Sequence, residues 1–159
     1  MYPALKSLKK SGKYILAALS NTMIFPPDHP FTNTSSPGDP RNLFDVFISS
    51  AHVGLRKPDP AIYALALKEA DKFAKENAET RGKGLGWEEG VKAEEVLFLD
   101  DIGENLKAAK KAGFQTIKVN LGRAFEAVDQ LEQVTGLSLA GDHPRIPVKP
   151  FVGKKGAKL

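Results

Sequence analysis

Apolar positions in this chain follow two rhythms. Short continuous apolar runs bounded by turn residues occur at 13–19 (KYILAAL), 44–49 (FDVFIS), 95–100 (EVLFLD) and 115–119 (QTIKV). Runs of this length ending in Ser, Asn, Asp or Gly predict strands covered on both faces, the kind found in parallel sheets. Between them the apolar residues recur at helical spacing. Leu5 and Leu8 share one face of 3–12. Ile62, Leu65, Ala66, Ala70 and Phe73 line the segment after Pro60. Phe125, Val128, Leu131 and Val134 line 123–135, which Gly136 stops, and a shorter helix is expected over 105–112, before Gly113. Pro3 suits a first helical position and Gly12 a helix stop. Strands alternating with helices predict an α/β domain built on a parallel sheet.

Two stretches follow neither rhythm. Residues 23–43 hold five of the eleven prolines together with Ser, Thr, Asn and Gly, and read as a long loop of the kind that often carries binding function. Residues 74–95 are polar and Gly-rich and read as a helix end plus a surface insertion. They contain the only tryptophan, Trp87, for which packing is expected because no stacking or cation partner is evident nearby. From 141 onward Pro, Lys and Gly dominate without periodicity, predicting an extended tail.

Charge changes the picture only at that tail. The chain carries a formal net charge of +4, but residues 141–159 hold five of the 23 Lys and Arg and one of the 19 Asp and Glu, leaving 18 of each in the body. A basic nucleic-acid-binding face on the body is therefore not expected. No apolar run reaches membrane-spanning length, no signal-peptide pattern opens the chain, and the absence of cysteine excludes disulfides and thiolate metal sites. No dinucleotide fingerprint or GxxxxGK[ST] loop follows any strand. Ser20 is not in a GxSxG elbow, and His29, His52 and His143 have no metal-ligand spacing.

The candidate chemistry lies where ligands of open parallel sheets bind, beyond the strands' carboxyl ends. Val96 to Leu99 lead into Asp100 and Asp101, with Asn105 following. Adjacent carboxylates there suit Mg²⁺, which needs few protein oxygens, or form a solvated acidic helix start. Ser20 and Asn21 end the first strand. Their hydroxyl, amide and backbone N–H groups could hold a phosphate oxygen, or merely terminate the strand. Lys57 precedes Pro58-Asp59-Pro60, in which Asp59 is a good N-cap and Pro60 a good first helical residue. It is expected either to face the carboxylates, favouring their charged forms, or to stand in solvent.

The ordered set Ser20-Asn21, Lys57-Pro58-Asp59-Pro60-Ala61-Ile62-Tyr63 and Asp100-Asp101 with Asn105 resembles the haloacid dehalogenase superfamily. More narrowly it resembles the phosphatase-type domain at the N-terminus of soluble epoxide hydrolases, and Leu131 to Leu137 (LEQVTGL) is similar to that subgroup. The resemblance covers residues 3–138. It implies a Rossmann-like parallel sheet with flanking helices and a Mg²⁺-dependent phosphomonoesterase acting on a phosphorylated small molecule. Ser20 and Asn21 would hold the phosphate. Lys57 would steady the nucleophile and the phosphoryl charge, Asp101 would bind Mg²⁺, and Asp100 and Asn105 would support it.

The chain departs from that pattern in having no DxD motif after an apolar strand, where the family's nucleophile lies. The nearest imitation, Leu43-Phe44-Asp45-Val46-Phe47, lacks the second aspartate. The cap is also missing, except for a remnant at 1–12, so residues 13–140 correspond to a partial core and 141–159 to a basic tail. The resemblance implies strand order second-first-third-fourth. The first and third strands would then either pair directly or flank a gap left by the missing central strand. Three readings follow: a partial copy of the phosphatase, weak in Mg²⁺ binding and inactive; a non-catalytic phosphate-binding protein; or an incomplete fragment. The ending Ala157-Lys158-Leu159 resembles a peroxisomal address read by an import receptor, against a cytoplasmic alternative.

Overall fold

A computed structural model describes residues 1–29, 32, 38–142 and 144–149. The elements run α1 (Tyr2–Ser11), β1 (Ala17–Ser20), β2 (Val46–Ser49), α2 (Ser50–Val53), α3 (Pro60–Glu76), β3 (Leu97–Asp100), α4 (Gly103–Lys111), β4 (Gln115–Lys118) and α5 (Ala124–Thr135). All four expected strands form, each four residues long; β1 runs one residue past its expected end at Leu19, and α4 begins two residues earlier than expected. The short α2 has no periodic signal. Within 23–43, Pro40–Leu43 makes a 3-10 turn capped by Asp39, whose carboxylate accepts from the Arg41 N–H. No described helix is long and apolar enough to cross a membrane.

The strands form two parallel ladders. β1 pairs with β2, Ser20 opposite Ser49, and β3 pairs with β4, Asp100 opposite Lys118. No ladder joins β1 to β3 among the described residues. Of the two arrangements the sequence allowed, the protein therefore adopts the gap. Helices cover both sides. Ala4 and Leu8 of α1 and Ala127, Val128 and Leu131 of α5 pack with Leu16 and Ile117, against Leu97 and Leu99. Ile62 and Tyr63 of α3 and Ala109 of α4 pack with Ile48 and Phe114, against Leu19, Val96 and Phe98. Alternate residues of β3 thus feed opposite clusters, as the period of two requires. Leu97, Phe98 and Leu99 remain half-buried rather than fully buried. The cause is the free edge: both faces of the strand are covered, but one flank lacks a neighbour.

The insertion after α3 is more ordered than its composition suggests. Trp87 is buried and packs with Ala74 and Ala78. Contrary to expectation it has a cation partner: the Arg81 guanidinium lies 4.9 Å from the Trp87 ring and 5.3 Å from the Phe73 ring. Arg81 also forms a two-pronged pair with Asp45, at 2.6 and 2.8 Å, and Lys9 of α1 pairs with the same carboxylate. The tail leaves the body along α5. Val148 N–H donates to Gly122 O at 2.8 Å, and Arg145 pairs with Asp129. Gly122 has φ +74°, and a Cβ there would lie 2.1 Å from Val148 O, so this crossing requires glycine. Residues 144–149 have no regular structure, as expected. His143 and the ending at 157–159 lie outside the described residues.

Candidate functional site

Asp100 is the centre of the site. It ends β3 and is buried, with its side chain 4% exposed. Such a carboxylate needs compensation for lost hydration, and it has three sources. The Lys57 ammonium lies 2.6 Å from Oδ2. The Asn105 amide donates to both oxygens, at 3.1 and 3.2 Å. The Ile102 N–H donates to Oδ1 at 2.8 Å. Burial pushes the Asp100 carboxyl up, but these donors outweigh it and hold it below the usual carboxylate range. Asn105 is placed for this by α4, whose first turn carries it. Its own backbone carbonyl accepts from the Tyr63 hydroxyl at 3.0 Å. Burial, with the nearby Asp100 charge, raises the Tyr63 phenol to about 12.

Lys57 is held at its root as well as at its tip. The Asn21 side chain accepts from Lys57 N–H at 2.9 Å and donates to Lys57 O at 3.0 Å, buckling the end of β1 to the loop before α3. Asp59 caps α3 by accepting from Ala61 N–H at 2.8 Å. The Lys57–Pro58 peptide is cis. The Lys57 ammonium lies 5.4 Å from the Phe98 ring, which packs edge-on to Tyr63. It is therefore neither a solvent lysine nor wholly free: one of its three donors is directed at Asp100.

The other candidate residues make no hydrogen bond or ion pair with this core among the described residues and are placed by their strands alone. Ser20 is half-buried at the end of β1, and its hydroxyl makes no hydrogen bond among the described residues. Asp101 is exposed and likewise unpaired there. The acidic pair thus splits into one structural and one solvent-facing carboxylate. Sequence reasoning missed a hydrogen-bonded cluster at the same end of the sheet. Ser49 Oγ bonds to Thr22 Oγ1 and lies 2.9 Å from His52 Nδ1. Ser50 Oγ accepts from Thr22 N–H at 2.9 Å and donates to Thr22 O at 3.2 Å. Four polar residues at two adjacent strand ends were the available signal. An open cleft of about 600 Å³ adjoins this cluster, lined by Asn21, Thr22, Met23, Phe25, Ser50, Leu55 and Arg56 among others. Lys57 and Asp101 do not line it.

Known proteins can now be compared with this geometry. A family model for haloacid dehalogenase-like hydrolases matches residues 1–113. The chain belongs to the haloacid dehalogenase-like hydrolases. It is 38% identical over 101 residues to bifunctional epoxide hydrolase 2 of Sus scrofa, a match covering 62% of this chain and 14% of the relative. The mouse protein of the same name is 34% identical over 107 residues, covering 67% and 16%. Acyl-CoA dehydrogenase family member 10 of Mus musculus is 35% identical over 99 residues, covering 62% and 7%. The chain therefore corresponds to a small part, 7–16%, of these relatives' lengths. A crystal structure of an uncharacterized protein from Corynebacterium glutamicum shares the fold, with a TM-score of 0.59 at 18% identity, over 86% of this chain and 82% of that one. The α/β, Rossmann-like reading holds.

A haloacid dehalogenase-like site implies Mg²⁺, and the donors present fit it poorly. Among the described residues no three His, Asp or Glu side chains converge. Asp100 has both oxygens engaged, which leaves the Asp101 carboxylate alone. One carboxylate suits only a cation whose other ligands are water and phosphate oxygens. Asp45 offers no substitute, because it lies before β2, at the opposite end of the strand from the site. Its side chain is 3% exposed and tied to Lys9, Arg81 and the Leu16 N–H.

Proposed function

We propose that this chain carries the phosphate-holding part of a haloacid dehalogenase-type phosphomonoesterase site and binds a phosphorylated small molecule without turning it over. The supporting observation is the Asn21–Lys57–Asp100–Asn105 chain of bonds. It fixes an ammonium at the carboxyl ends of β1 and β3 with donors to spare. Lys57 supplies the charge, the free Ser20 hydroxyl and the remaining Asn21 N–H supply hydrogen bonds, and Asp101 faces any cation that accompanies the phosphate. Turnover needs an attacking group in line with the leaving oxygen. Asp100 is held on Lys57 and Asn105, and Asp45 is on the wrong side of the sheet, so neither fills that role. Loss of a covalent nucleophile costs several orders of magnitude in rate.

The test is thermal unfolding with inorganic phosphate and turnover of 4-nitrophenyl phosphate. Phosphate should raise Tm in wild type and not in Lys57→Ala, and turnover should be negligible. Fusing an apolar strand bearing DxD, with a cap, ahead of residue 1 should give Mg²⁺-dependent turnover that Asp101→Ala abolishes. Robust turnover by the 159-residue chain, trapped as a phosphoenzyme on one of its own aspartates, would falsify the reading. We further propose that Ala157-Lys158-Leu159 acts as a peroxisomal address. A fluorescent protein ending in these residues should become punctate, and deleting Leu159 should disperse it.

A further inference from the structure

Apart from Asn21, which it shares with the phosphate site, the cleft is lined by residues that site leaves unused. One wall is polar and held in place: Thr22 is bonded through its backbone to Ser50 Oγ and through its hydroxyl to Ser49. The lining is otherwise largely apolar, with Met23, which is 70% exposed, and with Phe25 and Leu55. Arg56, an exposed residue, is the one charged side chain in the lining. Its backbone is fixed on both sides, because Arg56 O accepts from Asp59 N–H at 2.9 Å and the next residue is buckled by Asn21. Its guanidinium forms no ion pair among the described residues. This contrasts with Arg41, Arg81, Arg123 and Arg145, each of which meets a carboxylate. Arg56 and Lys57 are consecutive, yet Lys57 is directed to Asp100 while Arg56 lines the cleft.

Building on the phosphate reading above, we infer that this cleft receives the organic part of the ligand, and that Arg56 recognises a second anionic group on it. The ligand class is a phosphomonoester with a small apolar body bearing a carboxylate. The phosphate sits by Lys57 and Ser20, the apolar body lies against Met23, Phe25 and Leu55, and the carboxylate meets the guanidinium fork. Arginine is suited to that last role because its planar donors match a carboxylate two at a time. An apolar surface with a single unpaired cation at its end is also the usual make-up of a small-molecule site.

The experiment titrates the full chain with phenyl phosphate and 4-carboxyphenyl phosphate by calorimetry, and with 4-hydroxybenzoate by NMR. Wild type should bind the carboxylated ester about tenfold more tightly than phenyl phosphate. Arg56→Ala should bring that ratio near one, and Arg56→Lys should restore part of it. Equal affinities in wild type, or a preference that survives Arg56→Ala, overturn the inference. 4-Hydroxybenzoate, which has ring and carboxylate but no phosphate, separates this inference from the phosphate reading. Shifts at Leu55 and Thr22 that vanish in Arg56→Ala support the cleft even where inorganic phosphate fails to bind. No such shifts in a protein that does bind phosphate overturn the cleft alone.

Discussion

Two buried aspartates, Asp45 and Asp100, stand at opposite ends of the parallel strands, and each is held by cations. Asp45 meets two of them. One is Arg81, which also lies over the Phe73 and Trp87 rings, and the carboxylate also accepts from the Leu16 N–H. Both of its oxygens are engaged, while the Arg81 Nε beside them is a buried N–H without a partner among the described residues. Asp100 meets one cation, Lys57, and takes its remaining hydrogen bonds from the Asn105 amide and the Ile102 N–H. The same elementary pair is therefore a clasp in one place and, in the function proposed above, the base of a binding site in the other. What separates them is their place in the fold: Asp45 lies just before β2, whereas Asp100 lies at the carboxyl end of β3, where ligands of open parallel sheets bind.

Removing the clasp should be the harshest change. Asp45→Ala leaves Lys9 and Arg81 facing each other without their counter-charge. Breaking a buried pair this way costs about 3–5 kcal/mol, discounted here because both cations are about a third exposed. A loss of about 3 kcal/mol in urea unfolding, with α1 freed first, is expected. A loss under 1 kcal/mol would break the comparison. Lys57→Ala should cost about 2 kcal/mol, since Asp100 keeps Asn105 and the Ile102 N–H, and it should erase stabilisation by phosphate. In wild type that stabilisation is about 1.4 kcal/mol at ten times Kd.

Acid sharpens the contrast. Burial raises the Asp45 carboxyl, but hydrogen bonds from Arg81 and Lys9 and the Leu16 N–H pull it down to about 2. A carboxyl depressed from 3.8 stabilises the fold above that value and loses its contribution as pH falls from about 4 toward 2. The contribution is roughly 2 kcal/mol. The stability gap between wild type and Asp45→Asn should narrow across that window and stay constant above pH 5. The smallest effect belongs to Asp101→Asn. Stability should change by under about 0.5 kcal/mol, as for surface sites generally, while any Mg²⁺ enhancement of phosphate binding disappears.

The strands and the capped start of α3 were legible because each rests on local signals: apolar runs and an Asp-Pro pair. The Lys57–Asp100 meeting, across 43 residues, was one of two alternatives the residues left open. What was not legible depends on contacts between distant segments. Arg81 and Trp87 lie in a Gly-rich stretch with no period, so their stacking on Phe73 leaves no pattern in the sequence. The role of Asp45 requires Lys9 and Arg81, each 36 residues away. The split of the acidic pair follows from where the chain turns after Asp100, since Ile102 N–H closes back on Asp100 and leaves Asp101 outside.

The unjoined ladders have a consequence for how the backbone meets water. Among the described residues each sheet has two strands, so all four of these strands are edges. Along a strand, successive N–H groups point to alternate flanks, one toward the partner and the next away. Deuterium should therefore enter as a comb: alternate amides of Ala17–Ser20 and Leu97–Asp100 exchange slowly and those between them quickly. In a sheet with a continuous middle strand both sets would be shielded, so the comb counts the neighbours each strand has.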